Sequence, residues 1–205
     1  MRPRAPMNVF RTLGLCLALA AAGCAGAAPA GRFLVNDQRI VFLGDSITDG
    51  FTYPLLVRQA LAEAGRPVPA LINAGIGGDT ADGMLARLDR DVLAHRPTLV
   101  SMSVGVNDVL RGVPAEKYQV RVTAIAARLE AAGVPMLLMT TTVLGPAHAE
   151  ADARLAAYND ALRRLAARYG RRVAEVNRLM ARARDAGEDL LEADDVHINF
   201  AGYRV

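Results

Sequence analysis

Short apolar runs alternate along the chain with longer stretches in which apolar residues return every third or fourth position. The runs are Arg39 to Leu43, Ala70 to Asn73, Thr98 to Val104, Pro135 to Thr141 and Arg172 to Val176, each bounded by Gly, Pro or polar residues. Unbroken apolarity over so few residues predicts strands buried on both faces, the condition of a parallel sheet. Between them, Pro54 to Ala64, Ala81 to Ala94, Ala115 to Ala132 and Glu150 to Tyr169 are rich in Ala, Leu, Arg and Glu and read as amphipathic helices. Asn177 to Ala186 reads as a shorter helix. Gly65 and Gly133 follow two of the helices, where a C-terminal cap is expected, and Pro97 and Pro135 open strands, where a missing N–H is tolerated. The alternation predicts one α/β domain over residues 31–205, a three-layer α/β/α sandwich around a doubly wound, five-stranded parallel sheet. Ligands of such sheets bind outside the carboxyl ends of the strands.

Residues 1–30 break this pattern. Arg2, Arg4 and Arg11 precede the apolar run Leu13 to Ala22, and small residues continue to Ala30. That order predicts a secretory signal, with an apolar run too short to span a membrane comfortably. Ala21-Ala22-Gly23-Cys24 resembles a bacterial lipobox, although Ala21 stands where leucine is usual. Lipidation of Cys24 would anchor the protein to a membrane without spanning it. Ala28-Pro29-Ala30 offers ordinary cleavage as the alternative. Either way the expected location is export, periplasmic or membrane-anchored. Removing residues 1–23 takes three arginines and no acids from the formal +3 of the whole chain, leaving 21 basic against 21 acidic residues. The basicity therefore belongs to the targeting segment, and nothing calls for a nucleic-acid partner. Cys16 and Cys24 are the only cysteines, so the domain has no disulfide pair and no thiolate zinc site.

The candidate chemistry falls at strand ends. Gly44-Asp45-Ser46-Ile47-Thr48 follows the first strand, and Asn73-Ala74-Gly75-Ile76-Gly77-Gly78-Asp79-Thr80 follows the second. Val104-Gly105-Val106-Asn107-Asp108 follows the third, and Asp194-Asp195-Val196-His197 lies near the C-terminus. A serine hydroxyl is a poor nucleophile until a base takes its proton, and that base must itself be oriented by a third group. An Asp three residues before a His can supply base and orienter from one turn of chain. Taken singly, each residue has a plain structural reading. Ser46 fits a helix N-cap, Gly78 a flexible turn, Asn107 a turn-closing Asn, and Asp194 with His197 a polar surface loop.

Together the four segments resemble the blocks of the SGNH, or GDSL-type, esterase and lipase superfamily, named for its Ser, Gly, Asn and His. The resemblance runs over residues 39–205 and implies the flavodoxin-like SGNH hydrolase fold. It implies Ser46 as nucleophile, His197 as base and Asp194 as the acid that orients it, since the Asp-x-x-His pattern selects Asp194 over Asp195. Asp195 holds a place where glycine is common in the family. The resemblance also selects Gly78, rather than Gly75 or Gly77, as an oxyanion donor through its N–H, beside the Asn107 amide and the Ser46 N–H. His95 and His148 are expected at the surface. Asp45, Asp49, Asp79, Asp82 and Asp108 are expected to cap and brace loops rather than to hold a metal, so hydrolysis is expected to need no cofactor. Phe51 and Tyr53 are candidates for an acyl pocket or for packing. Only six residues follow Asn199, which reads as a helix N-cap, so the final helix of the family is expected to be missing.

Rival classes lack residues. The Gly75 to Gly78 run falls short of a full G-x-G-x-x-G, and the only lysine is Lys117, so a phosphate-cradling nucleotide or flavin site leaves His197 and Asn107 idle. A metal phosphatase built on the aspartates is a second rival, and an inactive carbohydrate-binding member of the fold a third. No serine sits in a G-x-S-x-G elbow, which disfavours the α/β-hydrolase fold. Family members cleave acetyl groups from sugars, short aryl esters, thioesters and lysophospholipids. Few aromatics and no long apolar lid favour a small acyl ester, and export favours an acetyl group on a carbohydrate. Lysophospholipase or thioesterase action on longer chains is the alternative.

Overall fold

The computed structural model describes residues 38–205, so the targeting segment and Cys24 lie outside the described residues. Five strands form one wholly parallel sheet: β1 (Arg39–Gly44), β2 (Ala70–Gly75), β3 (Leu99–Ser103), β4 (Met136–Met139) and β5 (Val173–Ala174). Their order is β2–β1–β3–β4–β5. The direction of winding therefore reverses between β1 and β3, and the crevice at their carboxyl ends is the expected place for a ligand. Register brings those ends level, with Gly44 opposite Gly75 and Leu43 opposite Met102.

Seven α-helices accompany the sheet among the described residues: α1 (Ser46–Asp49), α2 (Thr52–Glu63), α3 (Ala81–Asp91), α4 (Val106–Leu110), α5 (Ala115–Ala131), α6 (Ala149–Arg168) and α7 (Val176–Asp185). The strand pleat divides the core. Val41, Leu43, Val100, Met102 and Leu138 are all fully buried, with Met84 and Leu88 of α3, Val122, Ile125 and Leu129 of α5, and Leu155 and Leu162 of α6. Those three helices pack side by side, α3 on α5 and α5 on α6. Each such aliphatic side chain contributes about 1.5–3 kcal/mol on burial. The alternate β1 residues Ile40 and Phe42 face the other layer. There Phe51 and Tyr53 meet the Phe42 ring edge-on, with centroids 6.2 and 5.5 Å away. Phe51 and Tyr53 therefore serve packing.

Gly65 and Gly133 end α2 and α5 with φ of +62° and +68°, as their positions predict. The fifth strand is shorter than its apolar run, two residues of Arg172 to Val176. It is an edge strand with β4 alone as neighbour, and Glu175 turns away to pair with Arg163 of α6 at 2.7 Å. The chain then enters α7. Helices α1 and α4 were not predicted, since one turn of helix is too short to show a periodic apolar face.

Candidate active site

Ser46 is the first residue of α1, which folds back directly from the end of β1. Asp45 caps that helix: its Oδ1 accepts the Ile47 N–H at 3.1 Å, and its carbonyl accepts the Asp49 N–H at 2.9 Å. The capping role belongs to Asp45, one residue before the serine. The first N–H groups of a helix have no acceptor within it. Asp45 takes that of Ile47, so the Ser46 N–H stays free of the cap. Close approach of β2 to α1 depends on Gly75, where a Cβ would lie 2.3 Å from the Asp49 nitrogen.

Past β2 the chain passes Gly77 and Gly78. The Gly77 N–H donates to Asp49 Oδ2 at 3.2 Å and the Asp79 N–H to the Ile76 carbonyl at 3.1 Å. The N–H between them, that of Gly78, takes part in neither bond. Gly78 has φ of +74°, a region that disfavours any side chain. Its carbonyl accepts Arg111 Nη2 at 2.6 Å. Beyond β3, Asn107 is the second residue of α4, half-buried at the β1–β3 crevice. One amide hydrogen of its Nδ2 is directed to Asp45 Oδ2 at 3.4 Å, at the long end of hydrogen bonding. The amide carries a second hydrogen for another acceptor.

The fourth segment is a closed loop. Leu191 and Ile198 form an antiparallel bridge, the Glu192 N–H donates to the His197 carbonyl at 2.7 Å, and the Asn199 N–H to the Leu190 carbonyl at 3.0 Å. Within it Asp194 Oδ1 accepts the Val196 and His197 N–H groups at 3.0 and 2.9 Å. Asp194 Oδ2 lies 2.5 Å from His197 Nδ1, and His197 Nε2 lies 2.8 Å from Ser46 Oγ. The hydrogen bond from the imidazole, reinforced by the two backbone N–H groups, lowers the Asp194 pKa to about 2. An anionic Asp194 accepts the Nδ1 proton and leaves Nε2 as the acceptor facing the serine. Asn199 Oδ1 accepts the Gly202 N–H at 3.0 Å, so it does cap a turn, Gly202–Arg204. Tyr203 in that turn donates its hydroxyl to the Ile47 carbonyl at 3.1 Å, tying the segment to α1.

Asp195 takes no part in this line of contacts. Its φ is +60°, its Oδ2 accepts the Ala147 N–H at 2.8 Å, and its carbonyl accepts the Gly145 N–H at 2.8 Å. It pins the loop to the chain beyond β4. The other acids are likewise committed to separate donors. Asp79 pairs with Arg87 Nε at 2.6 Å, Asp82 with Arg121 at 2.8 Å, and Asp108 accepts the Ala81 N–H at 3.1 Å. Thr80 caps α3 by accepting the Gly83 N–H at 3.3 Å. Burial pushes Asp45 and Asp108 up to about 6 each, against the hydrogen bonds that Ile47 and Ala81 donate to them. His95 is exposed and His148 half-buried, both away from Ser46's hydrogen bonds.

The structure thus brings Ser46, His197 and Asp194 into one chain of hydrogen bonds and sets Gly78 and Asn107 at the neighbouring strand ends. Sequence reasoning missed Arg111, an exposed arginine at the end of a short helix that carries no distinguishing pattern. It also missed Asn73, whose Nδ2 donates to the Asp49 carbonyl at 2.8 Å while its Oδ1 accepts the Gly75 N–H at 2.9 Å. An Asn just before a glycine-rich turn was the available signal.

Comparison with known proteins bears on the family and the fold. Residues 42–205 match the GDSL-like Lipase/Acylhydrolase family. An arylesterase of Vibrio mimicus is 32% identical over 112 residues, 52% of this chain and 56% of its own length. The chain thus spans little more than half of that relative. An acetylxylan esterase of Geobacillus stearothermophilus is 26% identical over 83% of this chain and 90% of its own. Among solved structures, a lipase/acylhydrolase from Enterococcus faecalis superposes with a TM-score of 0.73 at 25% identity, covering 81% of this chain and 89% of its own.

Proposed function

The chain belongs to the GDSL-like lipase/acylhydrolase family, and from that premise we propose that it is a serine esterase acting on small acyl esters, foremost acetyl esters of carbohydrates. One observation carries the reading: Ser46 Oγ, His197 and Asp194 form a continuous hydrogen-bonded line of 2.8 and 2.5 Å. Ser46 attacks the ester carbonyl while His197 Nε2 takes its proton, and Asp194 stabilises the imidazolium. The carbonyl oxygen becomes an oxyanion held by the N–H groups of Ser46 and Gly78 and by the Asn107 amide. His197 then protonates the departing alcohol. Water, deprotonated by the same nitrogen, attacks the acyl-serine, and the carboxylic acid leaves.

The small acyl group is supported by the surroundings of Ser46. Phe51 and Tyr53, the nearby aromatics, are engaged with Phe42. The acetylxylan esterase relative points the same way. Export through the N-terminal segment, with Cys24 lipidated, belongs to the same proposal and suits a glycan substrate. Loss of detergent partitioning in Cys24→Ala tests it.

A chain-length series of p-nitrophenyl esters beside acetylated sugars tests the substrate. Acetate is expected to give the highest kcat/KM, and preference for long acyl chains would favour lysophospholipase or thioesterase action instead. A serine-directed phosphonate is expected to label Ser46, and undiminished labelling of Ser46→Ala would overturn the mechanism.

A further inference from the structure

The Gly78 N–H belongs to a turn closed by one backbone hydrogen bond, from the Asp79 N–H to the Ile76 carbonyl at 3.1 Å. Ile76 and Gly77 are exposed, and Gly77 and Gly78 have no side chains to pack. On the Asp49 side the loop is held by one hydrogen bond of 3.2 Å. On the other side stands Arg111. Its Nη2 donates to the Gly78 carbonyl at 2.6 Å, a short, charge-assisted hydrogen bond, and lies 3.4 Å from the point where a Gly78 Cβ would stand. Arg111 is itself seated by α4, since its backbone N–H donates to the Asn107 carbonyl at 3.0 Å. One arginine therefore joins the loop of the first oxyanion donor to the helix that carries the second.

We infer that Arg111 is a positioning residue for the oxyanion hole: by holding the Gly78 carbonyl, and so the peptide that follows Gly78, its guanidinium fixes the turn that aims the Gly78 N–H beside the Asn107 amide. The inference rests on the serine-esterase reading above. The physical need is clear from the backbone. A diglycine turn samples many conformations, and a donor aimed into empty space stabilises nothing until the oxyanion arrives. Preorganisation is what gives such donors their effect, because no reorientation is then needed during the reaction. A lysine at this position could supply charge, but not the fixed planar fork that sets the direction of the carbonyl.

The consequence is selective. Arg111 acts on the transition state and leaves ground-state binding nearly alone, so Arg111→Ala is expected to lower kcat by about 10- to 100-fold, the scale of a misplaced reacting group, with KM nearly unchanged. Affinity for a boronic acid, which forms a tetrahedral anion on Ser46, is expected to fall with kcat. Added guanidinium ion is expected to restore part of the lost rate in Arg111→Ala and none in Asn107→Ala. Arg111→Lys is expected to fall between the wild type and Arg111→Ala. The melting temperature, read alongside, is expected to stay close to the wild type because Arg111 is exposed.

The inference is overturned if Arg111→Ala keeps its kcat, if the loss appears in KM alone, or if kcat falls with neither weaker boronate binding nor guanidinium rescue. Ser46→Ala separates the two levels. If it is inert while Arg111→Ala is fully active, the esterase reading stands and the role of Arg111 fails. If Ser46→Ala is itself active, the reading beneath it fails.

Discussion

Asp45 and Asp194 flank Ser46 and are driven in opposite directions. Asp45 is 1% exposed, and burial raises its pKa to about 6. The Asp194 side chain is half exposed, and donated hydrogen bonds pull its pKa down to about 2. The first acid belongs to the half of the site built by the sheet. There Ser46, Gly78 and Asn107 sit at the ends of β1, β2 and β3, and the core behind them sets their places. The second belongs to a surface loop closed by its own hydrogen bonds, which brings Asp194 and His197 to the serine from the solvent side. One half is positioned by packing and carries a cost in buried charge. The other is positioned by local geometry and keeps its acid ionised at no desolvation cost worth noting.

The largest effect should come from the loop half. Asp194→Asn removes the acceptor that selects the imidazole tautomer, so kcat should fall by about 10⁴-fold while the melting temperature barely moves. Asp195→Asn should cost far less activity, since an amide oxygen can still accept the Ala147 N–H. Steady-state kinetics of the two variants compares them directly, and a larger loss in Asp195→Asn would reverse the assignment of the orienting acid.

The sheet half should respond next. Asn107→Ala removes one of the proposed oxyanion donors and is expected to lower kcat by about 10²–10³-fold, with little change in KM. A drop confined to KM would place Asn107 in substrate binding.

A smaller effect separates the two acids by pH. Because the Asp45 pKa is raised from 3.8 to about 6 on folding, the folded state holds more protons than the unfolded state between those values. Its ionisation therefore destabilises fully above about pH 6, and the cost is relieved as pH falls through that window. Asp108 acts in the same direction. Asp194, lowered from 3.8 to about 2, acts in the opposite sense: its contribution is present above 3.8 and is lost as pH falls toward 2. Asp45→Asn keeps the helix cap, so melting curves between about pH 7.5 and pH 5 should show a weaker gain on acidification than the wild type. An unchanged slope would mean that Asp45 is not the buried acid responsible. His197 and Asp108 are the ionisable neighbours that act on Asp45, and they remain in the variant.

The smallest effect expected is none. Dialysis against EDTA should leave the rate unchanged, since the strand-end acids are each committed to a protein donor. A loss restored by Mg²⁺, Mn²⁺ or Zn²⁺ would return those aspartates to the chemistry.

The sequence by itself determined the strands, the long helices and the order of the blocks, because burial on both faces and helical periodicity write themselves into consecutive residues. It also carried Ser46, Asn107, Asp194 and His197 as candidates, since each lies in a short segment whose residue types suit one chemistry. Other features took shape only in three dimensions. The short helices α1 and α4 form because a cap and the sheet edge hold single turns that have no periodic face. β5 ends early because Glu175 finds Arg163 on another element. Asp45, read as a bracing acid, proves to touch Asn107, 62 residues away, because β1 and β3 are neighbours in the sheet though distant in the chain. Arg111 meets Gly78 across 33 residues for the same kind of reason. Pairings of this sort depend on which strand ends adjoin, and that is decided by the packing of the whole sheet rather than by any local run of residues.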